Sequence, residues 1–136
     1  MSATDRNVDA LRPVYEAWGE GNWRAGPDAY GPGMVWAWSD EFPDINGVYD
    51  NPQDSEAAMR EWLRGWENWR CEAEEFLSAG DRVVVLTRYR GTGREGIELE
   101  SPAAHVWTMR DGKATRLDVF VDRGRALRSA GLEDAD

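Results

Sequence analysis

"HVWTMRDGKATRLDVF", residues 105–120, consists of two alternating runs on either side of Asp111-Gly112. An Asp-Gly pair in that setting is a strong hairpin signal, because both residues tolerate positive φ. A two-residue turn fixes the register. It sets Arg110 opposite Lys113, Met109 opposite Ala114, Thr108 opposite Thr115, Trp107 opposite Arg116 and Val106 opposite Leu117. His105, the only histidine, then falls opposite Asp118, with Cβ atoms about 5 Å apart. A carboxylate at that distance favours imidazolium.

Side chains alternate between faces along a strand. One face of this hairpin carries His105, Trp107, Met109, Ala114, Arg116, Asp118 and Phe120. The other carries Ala104, Val106, Thr108, Thr115, Leu117, Val119 and Val121, a smooth apolar surface suited to lie beneath helices. The first face mixes aromatics with a charge pair and a Trp107/Arg116 stack, which suits a subunit interface. The expectation is a cross-strand His105/Asp118 ion pair on the outer face of the sheet, at a homodimer contact. A His105/Asp118 dyad facing inward is the alternative if the register slips or the sheet bends.

Strands at 70–78 and 82–92 precede this hairpin, with turns at Gly80-Asp81 and across Gly93–Gly96, and the hairpin itself spans 97–110 and 113–121. In the N-terminal half, Asp5 or Asn7 caps a helix to about Trp18, with Leu11, Val14, Tyr15 and Trp18 on one face. A short helix is expected over 24–30, a strand over 34–38, and a long acidic loop from Ser39. Asn51 or Asp54 opens a third helix to about Trp69, on which Met59, Trp62, Trp66 and Trp69 form one stripe. "DRGRALRSAGL" reads as a short C-terminal helix ended by Gly131. The order predicts an α+β fold: a curved antiparallel sheet with helices on one face.

The chain has 136 residues, enough for one domain, 1–136, with an ordered core over about 7–132. Its net charge of −10 disfavours nucleic acid and anionic membranes. No apolar run approaches a bilayer span. The start "MSATDRNVDALRP" lacks the pattern of a signal peptide. Cys71 is alone, so no disulfide or zinc knuckle is expected, and a reducing cytoplasm is the simplest compartment. One histidine and one cysteine far apart give no transition-metal constellation. "GTGREG" is a hairpin tip and not a strand-to-helix phosphate cradle, so no dinucleotide cofactor is expected. Eight tryptophans in so short a chain point to a wide core or an aromatic-lined pocket.

Alternation places Val83, Val85, Thr87 and Tyr89 on the pocket side, with Glu98, Glu100 and Pro102 joining them across the Gly93–Gly96 turn. Tyr89 and Glu100 would then form an acid/base set, if the carboxylate is desolvated. The loop offers Asp40, Glu41, Asp44, Tyr49 and Asp50 at the pocket mouth, with Asp40 and Tyr49 as a second candidate set. An ordinary solvated loop is the bland reading of the same carboxylates.

"EEFLSAGDRVVVLTRYRGTG", "AHVWTMRDGK" and the closing "DRGRALRSAGL" resemble the SnoaL-like branch of the nuclear transport factor 2-like superfamily, over about residues 7–132. The resemblance implies a cone-shaped, strongly curved sheet, three N-terminal-half helices on its concave face, a short C-terminal helix and sheet-to-sheet dimers. Its relatives include ketosteroid isomerase and polyketide cyclases. Their acid or base on the last strand corresponds here to Leu117 and Val119, both apolar, and the isomerase base to Ala37 or Trp38, near Asp40. The isomerase tyrosine on the first helix has a rough counterpart in Tyr15. The expected ligand pocket comprises Tyr15, Trp18, Trp36, Trp38, Trp62, Trp66, Val85, Thr87, Val106, Leu117 and Val119. Two functions stay open. One is cofactor-free cyclisation, isomerisation, dehydration or epoxide opening on an apolar organic molecule. The other is a non-enzymatic ligand-binding or dimerisation module.

Overall fold

The computed structural model describes residues 3–23, 29–39 and 47–132. Helix α1 (Ala3–Gly19) precedes β1 (Tyr30–Trp38), β2 (Gly47–Tyr49) and α2 (Pro52–Leu63). The remainder is β3 (Trp66–Ala79), β4 (Arg82–Gly93), β5 (Glu98–Arg110), β6 (Lys113–Phe120) and α3 (Arg123–Ser129). The six strands form one open sheet in the order β2-β1-β6-β5-β4-β3. The architecture is the α+β cone expected, with one refinement: β1 lies parallel to β6, so the sheet is mixed. A parallel neighbour needs a long crossover, and the whole chain between these two strands supplies it. Most of the helix expected over 24–30 lies outside the described residues, and Tyr30 already belongs to β1.

Helix α1 buries the face anticipated for it: Leu11, Val14, Tyr15 and Trp18 are all nearly inaccessible and pack on β3 and β4. Helix α2 starts where the sequence indicates. The Asn51 side chain accepts from the Asp54 N–H at 2.8 Å, and Pro52 fills the first turn, where its missing N–H costs nothing. It ends earlier than expected, at Leu63. Gly65 then releases the chain, and Trp66 and Trp69 sit on β3. The helical spacing of the tryptophans was therefore fortuitous. Trp62 reaches Trp69 across the helix–strand junction, with centroids 5.4 Å apart, and Trp66 contacts Trp69 at 4.6 Å.

Gly91 makes that cluster possible. It pairs with Trp69 across the ladder, and a Cβ placed there would lie 2.5 Å from a Trp69 ring carbon and 2.9 Å from one of Trp66. Gly91→Ala is expected to cost about 2 kcal/mol through overpacking, measurable as a lower urea midpoint with an unchanged m-value. An unshifted midpoint would mean that the indoles move aside freely.

Helix α3 covers the opposite face of the sheet. Ala126 packs on Val84, Ala104 and Val106, with Leu77, Leu86 and Phe120 around it. Arg123 fixes the helix to the sheet by donating to the Thr87 and Ala103 carbonyls and to Glu74. No helix among the described residues is long and apolar enough to cross a membrane.

The hairpin β5–β6 decides which residues face inward. Asp111 (φ 52°) and Gly112 (φ 78°) adopt the left-handed turn expected, and Arg110 pairs with Lys113 and Met109 with Ala114. The register then slips by one: Thr108 pairs with Arg116, leaving Thr115 as an extra residue, its hydroxyl donating to the Thr108 carbonyl at 3.2 Å. One extra residue reverses parity for the rest of the strand. His105 therefore faces Val119, Trp107 faces Leu117, and Val106 faces Asp118. His105, Trp107 and Met109 share the helix side with Leu117 and Val119, while Val106, Arg116 and Asp118 share the outer side.

Candidate active site: a buried hydrogen-bond chain on a cavity wall

A cavity of about 440 Å3 opens between the end of α1, strand β1, the first turns of α2 and the inner faces of β4, β5 and β6. Trp18, Trp36, Trp38, Leu117 and Val119 form much of its wall, as the sequence suggests. Tyr89 and His105 also line it. Asp50 and Glu56 stand on it as exposed carboxylates.

The expected outward position of His105 is corrected. Its side chain is 1% exposed and makes no pair with Asp118, because the Thr115 bulge has turned the two to opposite faces. Asp118 instead accepts from its own-strand neighbour Arg116, both carboxylate oxygens lying 3.1 Å from Nε. The expected Trp107/Arg116 stack is absent for the same reason; Trp107 is fully buried opposite Leu117.

His105 bridges two tyrosines. Tyr15 Oη lies 2.5 Å from Nδ1, and Tyr89 Oη lies 2.7 Å from Nε2. Trp107 Nε1–H donates to Tyr15 Oη at 2.7 Å. Helix α1 and strands β4 and β5 thus each contribute to one continuous chain, Trp107–Tyr15–His105–Tyr89, whose last member stands on the cavity wall. Burial alone pushes the His105 pKa down from 6.5 to about 3, so the ring is neutral at physiological pH. Burial, followed by the neighbouring Cys71, holds both tyrosine hydroxyls well above their ordinary value. The chain is therefore a set of neutral donors and acceptors. Such a set can stabilise charge developing on a ligand oxygen, but a ring that resists protonation is a poor base.

The Tyr89/Glu100 pair is also corrected. Tyr89 pairs with Ser101, and Glu100 pairs with Arg90 on the outer face, where it accepts from Arg88 at 3.0 Å and from Arg90 at 2.6 Å. The Gly93–Gly96 turn closes with the Gly93 N–H on the Ile97 carbonyl, which offsets the register by one from that assumed. Val106 lies on the outer face beneath α3. Val85 and Thr87 are buried on the inner side beside this wall, and Trp62 and Trp66 belong to the β3 aromatic cluster. Tyr49 sits on β2 opposite Trp36. Asp40, Glu41 and Asp44 lie outside the described residues. Tyr30 and Met34 on the cavity wall were not anticipated. No group of three or more His, Cys, Asp or Glu side chains among the described residues is placed to hold a metal.

Trp18 Nε1 is buried and makes no hydrogen bond among the described residues, although its side chain faces the cavity wall. An unmet buried donor costs about 1–3 kcal/mol.

Residues 11–117 match the family model described as a SnoaL-like domain. No curated protein matches the sequence. Among solved structures, an NTF2-like protein of unknown function from Burkholderia pseudomallei is 25% identical, with 94% of this chain and 97% of that one covered at a TM-score of 0.77. TerC, co-crystallised with polyporic acid, is 22% identical, with 93% and 98% covered at a TM-score of 0.75. A protein with a ketosteroid isomerase-like fold from Catenulispora acidiphila, in complex with trimethylamine, is 18% identical, with 96% and 95% covered at a TM-score of 0.68.

Proposed function

Because the chain belongs to the SnoaL-like domain family, whose fold alone fixes no reaction, we propose a function from the cavity itself. It binds one flat, apolar organic molecule carrying a carbonyl or phenolic oxygen, and it promotes cofactor-free proton transfer next to that oxygen. The observation that carries this reading is the buried Tyr89–His105 pair on a largely aromatic and aliphatic wall whose carboxylates, Asp50 and Glu56, are exposed. A cavity of about 440 Å3 suits a two- or three-ring ligand. Tyr89 would hydrogen-bond the oxygen while Asp50, at the rim, takes a proton from the adjacent carbon. The small molecules held by two structural neighbours are compatible with a ligand here. The outer sheet face, where the Arg116 and Asp118 side chains remain accessible, is the proposed contact with a second copy.

A second reading, a non-enzymatic ligand-binding module, is favoured by one feature: Asp50 and Glu56 are exposed, so neither is desolvated as a strong base would be. Two measurements with 2-acetonaphthone separate the readings. Quenching of tryptophan fluorescence reports binding, and Tyr89→Phe is expected to weaken it about tenfold, the equivalent of one good hydrogen bond. 2-Isopropylnaphthalene, which lacks the oxygen, should bind wild type and variant alike. Exchange of the acetyl protons in D2O, followed by NMR, reports proton abstraction. Catalysed exchange that slows in Asp50→Asn supports the enzyme; binding with no exchange above buffer supports the module. Equal affinity of Tyr89→Phe and wild type for both probes would sink the role given to Tyr89.

A further inference from the structure

The ends of the hydrogen-bond chain determine which way its protons point. An indole N–H can only donate, so the Tyr15 oxygen accepts from Trp107. The Tyr15 hydrogen then has His105 Nδ1, 2.5 Å away, as its acceptor. A neutral imidazole carries one N–H and one bare nitrogen. Accepting at Nδ1 places the hydrogen on Nε2, which donates to the Tyr89 oxygen at 2.7 Å. The Tyr89 hydroxyl hydrogen is left without an acceptor inside the chain. Tyr89 is hydrogen-bonded to the Cys71 sulfur, a weak acceptor, and a ligand oxygen entering the cavity that Tyr89 lines would be a stronger one.

The opposite polarity fits badly. If His105 donated from Nδ1, the Tyr15 oxygen would receive two donors, and its own hydrogen would need a third partner, which the hydrogen bonds of Tyr15 among the described residues do not supply. A buried polar hydrogen without a partner is strongly disfavoured.

We infer that Trp107 and Tyr15 act as positioning residues: they lock His105 as the Nε2–H tautomer and thereby leave the Tyr89 hydroxyl hydrogen, held only by the weak Cys71 acceptor, for donation to a ligand in the cavity. The consequence is a ligand specificity. The group that meets Tyr89 is an acceptor oxygen, such as a carbonyl, a quinone oxygen or a phenolate, and not an ammonium or amide N–H. That last consequence rests on the cavity being a ligand site, as proposed above; the tautomer does not.

The lone histidine makes the test unambiguous. A long-range 1H–15N correlation spectrum of the uniformly labelled full chain at pH 7 shows a single imidazole. The expected pattern is a protonated Nε2 and a bare Nδ1. It should persist in Tyr89→Phe, because Tyr15 still occupies Nδ1, and give way to a mixture of tautomers in Tyr15→Phe, which loses only one oxygen atom. A protonated Nδ1 in the wild type, or a switch to it in Tyr89→Phe, would overturn the assignment even if Tyr15→Phe failed to fold. For the ligand clause, the carbonyl carbon of 13C-labelled 2-acetonaphthone should shift downfield on binding to wild type and not on binding to Tyr89→Phe. Binding with no such shift overturns the donor role of Tyr89. Failure of the ketone to bind overturns the function proposed above, and the ring spectrum still decides the tautomer.

Discussion

Trp107→Ala is expected to remove about 4 kcal/mol of stability, within the range for deleting a buried aromatic side chain. Trp107 is fully buried. Its ring stacks on Trp18 at 6.0 Å and Tyr30 at 6.3 Å, and meets Tyr15 edge-on at 6.2 Å. Its loss would open a large void, and the Tyr15 hydroxyl would lose its donor. The prediction discriminates between the two faces that strand β5 could present. With unbroken alternation from the Asp111-Gly112 turn, Trp107 would stand on the outer surface, and its truncation would fall within the small range of surface substitutions, about 0.5 kcal/mol. Equilibrium urea unfolding of wild type and variant gives the difference directly. A loss below about 1 kcal/mol would mean that the Thr115 bulge does not exist in solution.

Acidification is expected to weaken the protein through His105 alone by about 3 kcal/mol between pH 7 and pH 4. Folding pushes the His105 pKa from 6.5 to about 3, because the buried ring resists a charge. Below pH 6.5 the unfolded chain takes up a proton that the folded chain refuses. Stability is therefore complete above the unfolded value and declines as pH falls towards the folded one. The other titratable groups are common to wild type and a His105→Gln variant, and cancel in the comparison. The measurement is the slope of unfolding free energy against pH for both proteins. Equal slopes would show that His105 binds its proton in the folded state, and that the neutral Tyr15–His105–Tyr89 chain is wrong.

Much of the architecture was legible because it depends on local signals. The helical face Leu11, Val14, Tyr15, Trp18, the Asn51 cap and the Asp111-Gly112 turn each stand on a few adjacent residues, and each lies where those residues place it. The stripe from Met59 to Trp69 failed because periodicity does not mark where a helix stops, and Gly65 divides it between α2 and β3. The site was misread for a related reason. Counting from the turn assumes that both strands advance together, and a single unpaired residue, Thr115, defeats the count. Two signs of the bulge are present in the sequence. Trp107 and Met109 are large apolar residues in phase with His105, which is unusual for an exposed face. On β6 the inward positions Ala114 and Leu117 are three residues apart instead of two. The offset at the Gly93–Gly96 turn misplaced Glu100 in the same way.

The amino-acid sequence by itself determined the α+β class, the order of most elements and the presence of an aromatic-rich interior, because hydrophobic periodicity and turn chemistry act over a few residues; the family was legible in it as a resemblance carried by whole stretches such as "AHVWTMRDGK" and "DRGRALRSAGL". Only the tertiary structure decided that the lone imidazole lies inside, between Tyr15 and Tyr89 and away from Asp118. Strand parity is a nonlocal quantity: it is set by how a whole strand registers against its neighbours and buries its larger side chains, and one extra residue in a ladder inverts it at little cost.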